Sequence, residues 1–103
     1  MRRAEVFVHN ISAGFLEEKQ KGEEYVFVYH ENYSGEPVSL TMPLEEKLFN
    51  SKNIFPFFEG LLPEGPQLES LLRIMKIDRD DLFSQLISVG RDTVGAVTIK
   101  EIK

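Results

Sequence analysis

The sequence predicts an α+β fold: a small antiparallel β-sheet of about five strands, with three short helices between the fourth strand and a C-terminal strand. Three observations carry this prediction. Apolar and polar residues alternate through much of the first 42 positions, which is the period of a strand. Between Pro43 and Gly90 the apolar spacing changes to that of helices. Beyond Gly90 the chain returns to β-branched residues, with Thr93, Val94, Val97, Thr98 and Ile99 close together.

In order along the chain, "AEVFVHN" and "AGFLEEK" read as two strands joined by a tight hairpin at "NIS", with Gly14 available for a positive φ. "EEYVFVYH" places Tyr25, Phe27 and Tyr29 on one face and Val26 and Val28 on the other. Apolar residues on both faces predict a strand inside the sheet. After the turn chemistry of "NYSGEP", the segment "VSLTM" alternates as a fourth strand, with Val38, Leu40 and Met42 inward. In "SKNIFPFFEGLL", Ile54, Phe55, Phe58, Leu61 and Leu62 recur at helical spacing, with Ser51 or Asn53 as cap and Pro56 in the first turn. A second helix, "GPQLESLLRIMKI", starts with Pro66 in a favoured first position and carries Leu68, Leu71, Leu72 and Met75 as a single stripe. The third, "DRDDLFSQLISVG", has Asp78 as cap, presents Leu82, Phe83, Leu86 and Ile87 to the core, and stops at Gly90. The final strand is interrupted by Gly95, the mark of a bulge or a close backbone approach, and rejoins the N-terminal sheet.

The 103 residues fit one domain, 1–103, large enough for a core. A net charge of -5 with scattered basic residues, Arg2 and Arg3 included, argues against direct nucleic-acid binding. With no cysteine there is neither a disulfide framework nor a thiolate metal site. No apolar run approaches the roughly 20 residues of a membrane helix, and the N-terminus lacks a signal-peptide pattern, so the expected address is cytoplasmic. Met1 at the start and the absence of a tag imply a complete short gene product.

Catalytic chemistry is not visible. "GRDTVG", Gly90 to Gly95, reads as a turn in which Arg91 and Asp92 are solvated or pair locally, with an anion site as the alternative. The acidic pairs Glu17-Glu18, Glu23-Glu24, Glu45-Glu46 and Asp80-Asp81 lie at turns or helix ends beside basic residues and read as solvated charges. His9 and His30 read as strand-edge side chains without ligand-spaced partners, and no serine occupies a nucleophile elbow. The expectation is a non-enzyme with no cofactor, no metal and no catalytic residue.

The corner "FFEGLLPEG" followed by Pro66 is the feature left over. On one reading Phe55, Phe58 and Leu62 fill the core and the corner only turns the chain. On the other, two prolines hold an exposed "PEGP" rigid, so that docking costs little entropy. Phe57 then sits off the helical stripe as an aromatic anchor.

"FPFFEGLLPEG" followed by "LFSQLISVGRDTVGAVTI" resembles the N-terminal subdomain of HipA-type serine/threonine kinases, the toxins of bacterial HipBA toxin-antitoxin systems. "PVSLTMPL", Pro37 to Leu44, is similar to a strand of the same subdomain. The resemblance runs from the first strands to Ile99 and lacks the kinase body with its ATP-binding loop and catalytic Asp. It implies a HipS-like antitoxin of a tripartite HipBST system, which binds and neutralises a HipT-like kinase, with a HipB-like DNA-binding protein as a third component. The alternative it implies is an excised N-terminal subdomain or activating subunit of a HipA-type kinase. The partner-binding residues expected on this basis are Phe57, Glu59, Gly60, Leu61, Pro63, Glu64, Gly65, Pro66 and Gln67.

Overall fold

Residues 1–91 and 95–102 are described by a computed structural model. Five antiparallel strands form one sheet: β1 (Arg2–Val8), β2 (Ile11–Gln20), β3 (Glu24–Tyr29), β4 (Leu48–Ser51) and β5 (Val97–Ile102). Helices α1 (Pro56–Glu59), α2 (Gly65–Met75) and α3 (Leu82–Val89) lie between β4 and β5. The sheet order is β4-β3-β2-β1-β5, so the last strand rejoins the N-terminal sheet, as expected, and does so beside β1; β3 is interior. The Asp92–Val94 portion of the expected C-terminal strand and turn lies outside the described residues.

Period-2 patterning sets the sheet's two faces. Ala4, Val6, Val8, Leu16, Tyr25, Phe27, Tyr29, Val97 and Ile99 are buried, and Phe58, Phe83 and Leu86 of α1 and α3 belong to the same apolar cluster. On the opposite face the apolar side chains are shielded by charge. The Arg3 guanidinium lies over Phe15 at 4.6 Å from the ring centroid and pairs with Glu17 at 2.8 Å, while His30 meets Phe15 edge-on.

The first hairpin turns at His9-Asn10 and not at "NIS". Both residues have positive φ, 50° and 67°, which suits the right-handed twist of a two-residue hairpin. Gly14 is therefore not a turn glycine. It stands inside β2, where an added Cβ would lie 2.0 Å from the Val28 carbonyl oxygen of β3. Replacing Gly14 by Ala is expected to cost about 2 kcal/mol through forced displacement of β3. Urea unfolding checks this, and a variant as stable as the wild type would show that the backbone gives way freely.

"VSLTM" is not a strand. Its alternation is real at Val38 and Met42, both buried, but Leu40 is 95% exposed. The Tyr29 hydroxyl explains why: it accepts from Val38 N at 3.0 Å and donates to Met42 O at 2.6 Å, folding the segment around its own ring. Ser39 adds a local turn, accepting from Thr41 N through its side chain and from Met42 N through its carbonyl. The fourth strand is instead Leu48–Ser51, whose Phe49 packs partly buried against the core.

Capping also differs from expectation. The cap of α3 is Asp81, whose carboxylate accepts from Ser84 N. Asp78 contributes its carbonyl, which receives Asp81 N and the buried Gln85 Nε2. Helix α1 has Phe55 as its cap residue, with no side-chain cap from Ser51 or Asn53. Gly90 ends α3 in ordinary helical conformation, and its missing side chain makes room for Ile99 of β5, whose N–H donates to Gly90 O.

Candidate functional site

The helix expected across 54–62 is a four-residue α1 followed by two tight turns. Leu61 N donates to Phe58 O and Leu62 N to Glu59 O, the i to i+3 pattern of a tightening helix end. Pro63 has no N–H to continue the ladder, and it disfavours helical backbone at Leu62. Glu64 is extended, Gly65 adopts φ +59°, and Pro66 sits in the first turn of α2. At Gly65 a Cβ would meet nothing within 4 Å, so the glycine serves a backbone conformation in open space.

The nine expected partner residues fall into two sets. Phe57 and Leu61 pack partly buried against the core, as does the neighbouring Leu62, and the Phe57 ring meets Phe58 edge-on at 5.3 Å. Phe57 is thus a half-buried aromatic and not a free outer-face anchor. Pro63 is half-buried as Phe57 and Leu61 are, and Glu59, Gly60, Glu64, Gly65, Pro66 and Gln67 are exposed. The geometry is an exposed rim carrying Glu59 and Glu64 beside an aromatic base of Phe55, Phe57, Phe58 and Phe27.

Helix α2 continues directly from this rim. None of its residues is buried, and none of Leu68, Leu71, Leu72, Ile74 and Met75 packs against the core cluster. The sequence carries a signal for this exposure at Ile74, an apolar residue off the leucine stripe that a helix committed to one core face would not need.

A second cluster was hidden among charges read as solvated. Glu18 is 3% exposed and receives Arg2 Nε at 2.8 Å, the Tyr25 hydroxyl at 2.8 Å and Gly22 N at 3.2 Å. Arg2 also donates to Asp81 Oδ1 at 2.8 Å and to Ser84 Oγ at 2.7 Å, with its guanidinium over Phe83. Burial alone would raise the Asp81 carboxyl, but Arg2 and the Ser84 hydroxyl and amide outweigh it and hold the group at about 2. Burial, and then the bond to Glu18, push Tyr25 up to about 12. The cluster ties β1, β2, β3 and α3 together, and its polar groups point inward to one another, not toward a substrate.

Other polar groupings do not assemble a reaction centre. Ser12 Oγ lies 2.8 Å from His30 Nε2 and donates to Glu5. The carboxylate therefore meets the hydroxyl and does not orient the imidazole, the reverse of a Ser-His-acid relay. His9 lies in the hairpin turn, 3.3 Å from Glu36, so it is a turn residue and not a strand-edge one. Among the described residues no cluster of three or more His, Asp or Glu is placed to hold a metal, and no helix is long and apolar enough to cross a membrane. A cleft beside the corner, lined by Tyr25, Asn53, Pro56, Glu59 and Leu82 among others, holds no nucleophile paired with a base.

Comparison with known proteins identifies relatives over the whole chain. The chain is 36% identical over 103 residues to an uncharacterized protein of Haemophilus influenzae, covering all of this chain and 95% of that one. It is 34% identical over 64 residues to the serine/threonine-protein kinase toxin HipA of Shewanella oneidensis, a match that spans only 14% of that kinase. A solved structure described as the N-terminal domain of HipA toxin superposes with a TM-score of 0.80 at 32% identity, over 100% of this chain and 94% of the other. The family described as HipA N-terminal domain matches residues 4–100, and the chain belongs to that family.

Proposed function

We propose that this chain is a HipS-like antitoxin that acts in the cytoplasm, binding a HipT-like serine/threonine kinase and holding it inactive. The observation that carries the reading is the match to the HipA N-terminal domain family over residues 4–100. The Haemophilus influenzae relative supports it, because a protein of which this domain fills 95% has no room for a kinase of its own. Binding needs no catalytic group on this side. It needs a shaped surface, and the proline-bearing rim from Glu59 to Gln67 supplies one at low entropic cost. The net charge of -5 complements a basic, phosphate-binding kinase groove. A HipB-like DNA-binding protein completes the complex, since this chain has no basic stripe of its own.

The test is co-purification with a HipT-like kinase, together with growth rescue on co-expression. Joint replacement of Phe57 and Glu64 by Ala is expected to weaken the complex about tenfold, and unchanged affinity would remove the corner from the interface. A second reading, an activating subunit, is favoured by the Shewanella oneidensis kinase, which carries related sequence within its own chain. Autophosphorylation separates the two: the antitoxin lowers it, and an activating subunit raises it.

A further inference from the structure

We propose that the apolar face of α2, outside the residues assigned above to partner binding, docks into a groove on the kinase body. This rests on the kinase-binding reading. Ile74 is 72% and Met75 53% exposed, and the adjoining Leu68, Leu71 and Leu72 are only half-buried. The other exposed large apolar residues, Met1, Ile11, Leu40 and Leu48, stand apart in sequence, whereas Ile74 and Met75 adjoin on one helix; Phe7 and Phe15 on the open sheet face lie among Arg3, Glu5, Glu17 and His30. Arg79 does reach back from beyond α2, but to Glu69, and so leaves the Ile74-Met75 end uncovered. An amphipathic helix without a core to rest on is stabilised by what it binds.

Two occupants compete, a second copy of this chain and the kinase. An 11-residue helix is about 16 Å long and about 10 Å wide, so pairing with its own copy covers roughly 200 Å² on each side. A stable interface needs roughly 800 Å² per partner. Self-pairing through α2 falls well short of that. A groove encloses a helix on several sides and also receives the rim, which runs into α2 without a break at Gly65. The Shewanella oneidensis kinase, in which sequence of this domain is a small fraction of the whole, puts a large partner body beside the domain in one chain.

The measurement is titration of a HipT-like kinase with the wild type and with a double variant, Ile74→Gln and Met75→Gln. Glutamine preserves helix propensity, so the helical circular dichroism and melting temperature of the free variant should not change. Affinity is expected to fall about 50-fold. If the wild type binds and the variant binds equally well, the inference is wrong and the kinase-binding reading survives. If the wild type does not bind, both fail. If the wild type sediments as a dimer and the variant as a monomer, the occupant is a second copy and the inference is overturned.

Discussion

Replacing Arg2 by Met is expected to destabilise the protein by about 3 kcal/mol, a large share of the 5–15 kcal/mol that holds a typical domain together. The substitution keeps the apolar stem beside Phe83 but leaves Glu18 and Asp81 facing each other without their shared cation. Glu18 is 3% and Asp81 13% exposed on its side chain, so water can do little to replace the guanidinium. Lys21 approaches Asp81 only at 3.8 Å and is largely exposed, too distant to substitute. On the usual scale for a domain this size the melting temperature should fall by more than about 12 °C. Adding Glu18→Gln and Asp81→Asn to the same variant should restore most of the loss, since the penalty comes from unpaired charge and not from lost volume.

The same cluster sets the acid limb of stability. Asp81 is held at about 2 when folded, against 3.8 for a free carboxyl. A depressed carboxylate stabilises the fold fully above its unfolded value and loses that contribution as pH falls through its folded value. The window is therefore roughly pH 4 down to pH 2, and the amount is about 2 kcal/mol. In the Arg2 variant this limb should flatten, so the gap in melting temperature between wild type and variant should narrow as pH falls from 4 to 2. A constant gap across that range would place the Arg2 contribution in packing instead.

Residues with one strong physical reason to be where they are were readable from sequence. Tyr25, Phe27 and Tyr29 alternate on a strand that is interior, and Phe58, Phe83 and Leu86 keep helical spacing and are buried. The misreadings share a different cause. Val38 and Met42 are buried as alternation predicts, yet a single distant hydroxyl, that of Tyr29, turns the segment between them out of the sheet. Glu18 and Asp81 look solvated because their cation arrives from residue 2, some 16 and 79 positions away. Gly14 has the composition of a turn and the function of a close approach, a distinction that depends on which strand lies next to it. At the candidate site the exposure of Glu64 to Gln67 was readable from the prolines and glycine, while the half-burial of Phe57 depended on where α1 would end.

Replacing Phe58 by Ala should have the largest effect on the corner, although Phe58 never reaches the surface. It is fully buried and stands between the sheet and the rim, with ring centroids of Phe27 at 5.8 Å, Phe57 at 5.3 Å and Phe55 at 6.3 Å. Removing that ring should cost about 4 kcal/mol, from lost transfer energy and the cavity left among three other aromatics. Phe58→Leu, which keeps most of the volume, should cost less than half as much. The consequence for binding separates scaffold from contact. If the rim is a docking surface positioned by this base, the Leu variant, folded at 20 °C, should bind the kinase less tightly than wild type, even though residue 58 touches no partner. Equal affinity in a folded Phe58→Leu variant would mean that the rim holds its shape through Pro63 and Pro66 alone, and that the aromatic base contributes stability only.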